Sequence, residues 1–124
     1  MSRDFVYHNV NPTKAETFDC VCRAISLAVN LDYKAVEKLL EISAYYYGCD
    51  PLCVSCYNNL LEDVFHFPVR YCENKETVGQ IAYKYPNNIL IIRIKNHLTT
   101  SIYSIVNDIW RCNDKKVDRY WIVR

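Results

Sequence analysis

Cys20 stands at the start of "CVCRAISLAV", a stretch that reads as a helix. A thiol in the first turn of a helix lies near the positive end of the helix dipole, where free backbone N–H groups favour the thiolate. The same N–H groups can hold a developing oxyanion. Such a nucleophile needs an imidazole to take and return a proton, and a third group to orient that imidazole. The chain has three histidines, His8, His66 and His97. His8 lies in an irregular lead-in, and His66 is flanked by Phe65 and Phe67, which suits packing or surface exposure. His97 follows directly on "NILIIRIK", the most convincing strand, and strand ends are common places for catalytic groups. Asp108, in the next strand-like segment, can reach back to His97 across a hairpin; Asn107 and Asp114 compete for that role. Set against this chemistry is a plain alternative, since free cysteine is among the most buried residue types and often only packs.

A second thiol group stands in "GCDPLCVSC". Cys49, Cys53 and Cys56, with Cys72 or His66 downstream, offer three or four ligands for a tetrahedral zinc ion. Periodicity gives a simpler account, in which Cys56 joins Leu52 and Leu60 on the inward stripe of a helix and Cys49 and Cys53 are loop thiols. The simpler account is preferred, so neither a metal nor a cofactor is expected.

These side chains need a scaffold. Residues 1–16 read as an irregular or extended lead-in with a turn at Asn11-Pro12. Thr17 or Asp19 can cap a first helix running to about Val29, with Val21, Ala24, Ile25, Ala28 and Val29 on its buried face. Asp32 caps a second helix with an apolar stripe of Ala35, Val36, Leu39 and Leu40, and Gly48 ends it. A third helix spans Val54 to about Phe65. "FPVRYC" suits a short strand, and "ETVGQIAYKYP" a short helix capped by Thr77. The period then changes: "NILIIRIK", "LTTSIYSIVNDIW" and "RYWIVR" are strand-like, with "CNDKK" as a turn. The expected architecture is one α+β domain over residues 1–124, helices first and strands later.

Composition narrows the function. The 124 residues carry 15 basic and 14 acidic side chains, a net charge of +1 with no basic block, so no nucleic-acid footprint is expected. No apolar run is long enough for a membrane span or reads as a signal peptide. Seven cysteines, an odd number, suit a reduced cytoplasmic protein. Eleven tyrosines suit strands, half-buried surfaces and a contact face, for which "YYYG" at Tyr45 to Tyr47 is the best candidate.

"DCVCRAISLAVNLDYKAV", followed much later by "HLTTSIYSIVNDIW" and "RYWIVR", resembles a family of small papain-like cysteine-peptidase-fold proteins found largely in bacteriophages and bacteria. The shared pattern is Asp-Cys, two apolar residues and Arg-Ala at a helix start, then a histidine opening a β-hairpin, then Asp-x-Trp. Cys20, Arg23-Ala24, His97, and Asp108 with Trp110 fill it in order. The resemblance implies a papain-like fold, with N-terminal helices on a C-terminal antiparallel sheet. It also implies Cys20 as nucleophile, His97 as general base and acid, Asp108 as the orienting carboxylate and Trp110 as a shield. Cys22 takes an apolar position and should pack. The chain departs from papain-like enzymes in having Lys14 where a glutamine oxyanion donor usually stands, which leaves Thr17, Asn11 or the Cys20 backbone N–H for that task. The hairpin turn falls at Tyr103-Ser104 where glycine is common.

Three functions follow as expectations. The first is a hydrolase acting on an amide or thioester bond of a peptide or protein. The second is a non-catalytic phage effector of the same fold that binds a host protein in the host cytoplasm. The third is a zinc-stabilised module.

Overall fold

A computed structural model describes residues 4–14 and 19–124. Thr17, proposed above as a cap and an oxyanion donor, lies outside them. The chain is a mixed α+β structure, with four α-helices and a six-stranded sheet among the described residues. The elements are β1 (Phe5–Tyr7), α1 (Cys20–Val29), α2 (Tyr33–Tyr47), α3 (Val54–Asn59), β2 (Val69–Tyr71), α4 (Val78–Lys84), β3 (Ile89–Ile94), β4 (His97–Ile102), β5 (Ile105–Asp108) and β6 (Val117–Ile122). A π-helical turn, Leu60–Val64, continues α3. Strand order is β1-β5-β4-β3-β6-β2. Every pairing is antiparallel except β1 with β5.

The central strand β3 shows why the sheet is covered on both faces. Successive side chains of a strand point to opposite sides. Ile89 and Ile91 accordingly join a core with α1, α2 and the α3 region, while Leu90, Ile92 and Ile94 join a second core with Val78, Ile81 and Ala82 of α4. A strand buried on both faces reads as a continuous apolar run, which is what "ILIIRI" is. Helix α1 lies across β4, where Thr100 Oγ1 donates to the Ala24 carbonyl at 2.7 Å. That contact ties the middle of α1 to the middle of β4.

Several expectations need correction. Helices do not simply precede strands: β1 is made by the lead-in, while β2, between α3 and α4, is the short strand that "FPVRYC" suggested. Parallel pairing with β5 turns Phe5–Tyr7 into an edge strand, a long-range event with no local periodicity to announce it. Ala35 is exposed, so the inward stripe of α2 is Val36 and Leu40 with Leu39 half-buried. Leu52 is also exposed, whereas Cys56 and Leu60 are buried as expected. The β4–β5 turn survives without glycine. Tyr103 and Ser104 take φ of 51° and 70°, the left-handed pair that a two-residue hairpin turn demands. Ser104 Oγ donates to the Ala82 carbonyl at 2.7 Å, tying this turn to α4.

Candidate active site

The residues brought together by chemistry-bearing spacing meet where β4 and β5 part. The registered pairs of this hairpin run from Ile102–Ile105 to Thr100–Asn107. Beyond them His97 and Asp108 turn toward each other, and His97 Nε2–H donates to Asp108 Oδ2 at 2.6 Å. A carboxylate only accepts, so this bond places the proton on Nε2 and leaves Nδ1 for a second partner. Cys20, the first residue of α1, also meets the ring: its thiol hydrogen-bonds His97 and receives the backbone N–H of Leu98.

The charges favour an ion pair. Burial raises the Cys20 thiol, but the hydrogen bonds from His97 and Leu98 and the charges of His97 and Arg23 outweigh it, so the thiol lies below its ordinary pKa. Burial likewise lowers His97, yet its bonds to Asp108, Cys112 and Cys20 prevail and push it up to about 11. Cys22 is the opposite case. Burial first, then the nearby Glu37 and Asp19 carboxylates, push it up to about 12, and its thiol donates to the Tyr33 carbonyl at 3.3 Å. The two cysteines of one helix turn thus part into a polarised thiol and a packed one.

Asp108 is held from several directions. Its Oδ1 accepts from the Ile109 N–H at 2.7 Å and lies 4.0 Å from Arg23 Nη2, and its Oδ2 also receives the Cys112 thiol at 3.8 Å. Arg23 is buried and pairs with Asp19. Asp19 in turn accepts from Asn11 Nδ2 and the Tyr33 hydroxyl, both at 2.8 Å. With its carboxylate so engaged, Asp19 occupies the N-cap position of α1 without a side-chain cap bond. A polar network therefore underlies Cys20, and Arg23 bridges the helix to the strand carrying Asp108. Buried charge tolerates this only when paired and hydrogen-bonded.

The supporting residues separate by geometry. Asn11 does not serve as a free oxyanion donor, because its amide NH2 is given to Asp19 and Tyr33 and its carbonyl accepts from Thr13. Lys14 donates to the Asn9 carbonyl at 2.8 Å. The Trp110 ring lies with its centroid 4.9 Å from that of His97 and remains 40% exposed, so it covers part of the imidazole. Of the rivals to Asp108, Asn107 donates to Ile105 and meets His8 at 3.3 Å, while Asp114 is exposed. His8 is exposed, gives its backbone N–H to the Asp108 carbonyl at 2.9 Å and lines the same small pocket as Cys20, whereas His66 is exposed beyond α3.

Two participants were missed from the sequence. Cys112, fully buried, touches both His97 and Asp108, but its place in "CNDKK" carried only a turn signal. Tyr33 closes the network around Asp19 from the first turn of α2, and only its neighbours in space reveal it.

The cysteine-rich segment forms a separate cluster. Cys49 hydrogen-bonds Cys56 and Cys53, and Cys56 donates to the Leu40 carbonyl at 3.6 Å. Among the described residues, the set of His, Cys and acidic ligand atoms that converges closely enough for a metal is His97, Asp108 and Cys112, not Cys49, Cys53, Cys56 and Cys72. Also among the described residues, no helix is long and apolar enough to cross a membrane. Comparison with known proteins returned no matching family model, no matching curated protein and no matching solved structure.

Proposed function

We propose that the chain is a cysteine hydrolase of papain-like organisation, acting on the acyl carbon of an amide or thioester in a peptide or protein. The observation that supports this most directly is the line Cys20, His97, Asp108, in which the imidazole hydrogen-bonds both the thiol and the carboxylate. Cys20 attacks the carbonyl carbon and its sulfur becomes acylated. The imidazolium of His97 gives its proton to the departing amine or thiol. Water, deprotonated by the now neutral imidazole, then releases the acid and frees the thiol. Asp108 keeps the ring oriented, and Trp110 limits water on one side of it. The Cys20 backbone N–H, at the head of α1, is the candidate oxyanion donor.

Site-resolved alkylation with a chloroacetamide probe, read by mass spectrometry, tests the reading. Cys20 should react fastest among the seven thiols at neutral pH, and His97→Ala should slow it by at least about tenfold. Unchanged alkylation in His97→Ala overturns the proposal.

The exposed Tyr45 and Tyr46, at 92% and 80%, favour a second reading in which the same fold binds a host protein without chemistry. A Cys20→Ala, His97→Ala double variant that keeps a biological effect supports binding; loss of the effect supports catalysis.

A further inference from the structure

Cys112 has no part in the chemistry above, yet its thiol is directed at the catalytic pair. The ligand atoms of His97, Asp108 and Cys112 all lie within 4.8 Å of one another. Asp108 Oδ2 is 2.6 Å from His97 Nε2 and 3.8 Å from Cys112 Sγ. We propose that these three side chains form a binding site for a thiophilic divalent cation, zinc above all, whose occupation switches the Cys20 site off.

The donor set is one nitrogen, one oxygen and one sulfur, a combination that suits zinc far better than magnesium or calcium. Zinc at about 2.0–2.3 Å from each ligand separates tetrahedral neighbours by roughly 3.4–3.6 Å. The Cys112–Asp108 edge already has nearly that length, and the His97–Asp108 edge has to open by less than about 1 Å. All three side chains are almost fully buried, so little competing water is present. On binding, zinc replaces the Nε2 proton of His97 and the thiol proton of Cys112, and both protons leave to solvent. The Nε2–H bond to Asp108 is then gone. An imidazole bound to metal cannot carry a proton from Cys20 to a leaving group. Metal binding stands on geometry alone; the inhibition rests on the proposed roles of Cys20 and His97.

The test uses the full chain with Cys49→Ser and Cys53→Ser, which removes the other thiol cluster. Cobalt(II) is the spectroscopic probe, because a thiolate ligand gives a charge-transfer band. The expected result is one equivalent bound with that band present, and loss of the band in the further Cys112→Ser variant. Zinc should slow Cys20 alkylation by at least about tenfold, and Cys112→Ser should restore it. A band that persists in Cys112→Ser, or no cobalt binding once Cys49 and Cys53 are replaced, overturns the site. Protection of Cys20 that persists in Cys112→Ser means direct capture by Cys20 and overturns the switch. If Cys112→Ser fails to fold, the 15N signals of the His97 ring decide in the native chain: Nε2 must shift on zinc addition, and an unmoved signal overturns the proposal. If Cys20 is unreactive without metal, the catalytic reading fails while the cobalt band still reports the site.

Discussion

Cys20 and Cys53 stand at the N-terminal ends of two helices, and both thiols lie below their ordinary pKa. The causes differ. Backbone N–H groups of Cys56 and Ser55, with a hydrogen bond from Cys49, lower Cys53. Cys20 sits in a deeper site, where burial opposes ionisation and an imidazole overcomes it. A helix end can make a thiolate, but acyl transfer also needs a proton donor for the leaving group, and that donor faces Cys20. Two thiols that are both lowered therefore have different prospects. Cys53 is suited to alkylation, and under the proposed function Cys20 is suited to turnover.

The sharpest way to break this contrast is to exchange the losses. Cys20→Ala should reduce thioester turnover by about three orders of magnitude or more, and Cys53→Ala should leave it intact. Steady-state assays on the two variants check this, and equal losses would dissolve the distinction. The next effect concerns folding. Asp19→Ala strands the buried Arg23 and should cost about 3–5 kcal/mol in urea unfolding. Asp50→Ala, beside Cys53, removes an exposed bond to the Leu52 N–H and should cost about 1 kcal/mol or less.

A pH series sharpens the comparison further. A lowered thiol ionises earlier as pH rises, so Cys20 alkylation should already be fast at neutral pH, while Cys22, near 12, should stay silent there. His97, held up to about 11, keeps the imidazolium through this range, so reactivity that depends on the ion pair should decline only as pH approaches that value. The profile of Cys53 should lack this upper limb. The smallest expected change is Trp110→Ala, which removes a tilted ring contact worth about 1 kcal/mol. Thermal unfolding measures that loss, and a cost of several kcal/mol would make Trp110 a core residue instead of a cover.

Much of the scaffold was legible because its signals are local. The 3.6-residue stripe of α1, the capping box of Thr77 and Gln80 on α4, and the β-branched run of β3 each state their element without help from the rest of the chain. Misreadings arose where the deciding contact is distant. Phe5–Tyr7 has no alternation of its own and becomes a strand because β5 offers it an edge. Ala35 and Leu52 looked inward on spacing, but no neighbour covers either. In the site, hairpin spacing put Asp108 within reach of His97 but left Asn107 and Asp114 as rivals, and Asn11, one of three candidate oxyanion donors, in fact holds Asp19.

By itself the sequence determined most of the helices and strands, the edge strand β1 aside, and put a cysteine at a helix start and a histidine beside the most apolar strand. Those are short-range matters of apolar spacing, capping and β-branching. Only the tertiary structure decided which of seven thiols meets an imidazole and which merely packs. It also turned Cys112 toward Asp108 and buried Arg23 between two acids. The reason is that a side chain's proton affinity depends on what surrounds it within a few ångströms, and for Cys20 the decisive neighbour is 77 positions away in the chain.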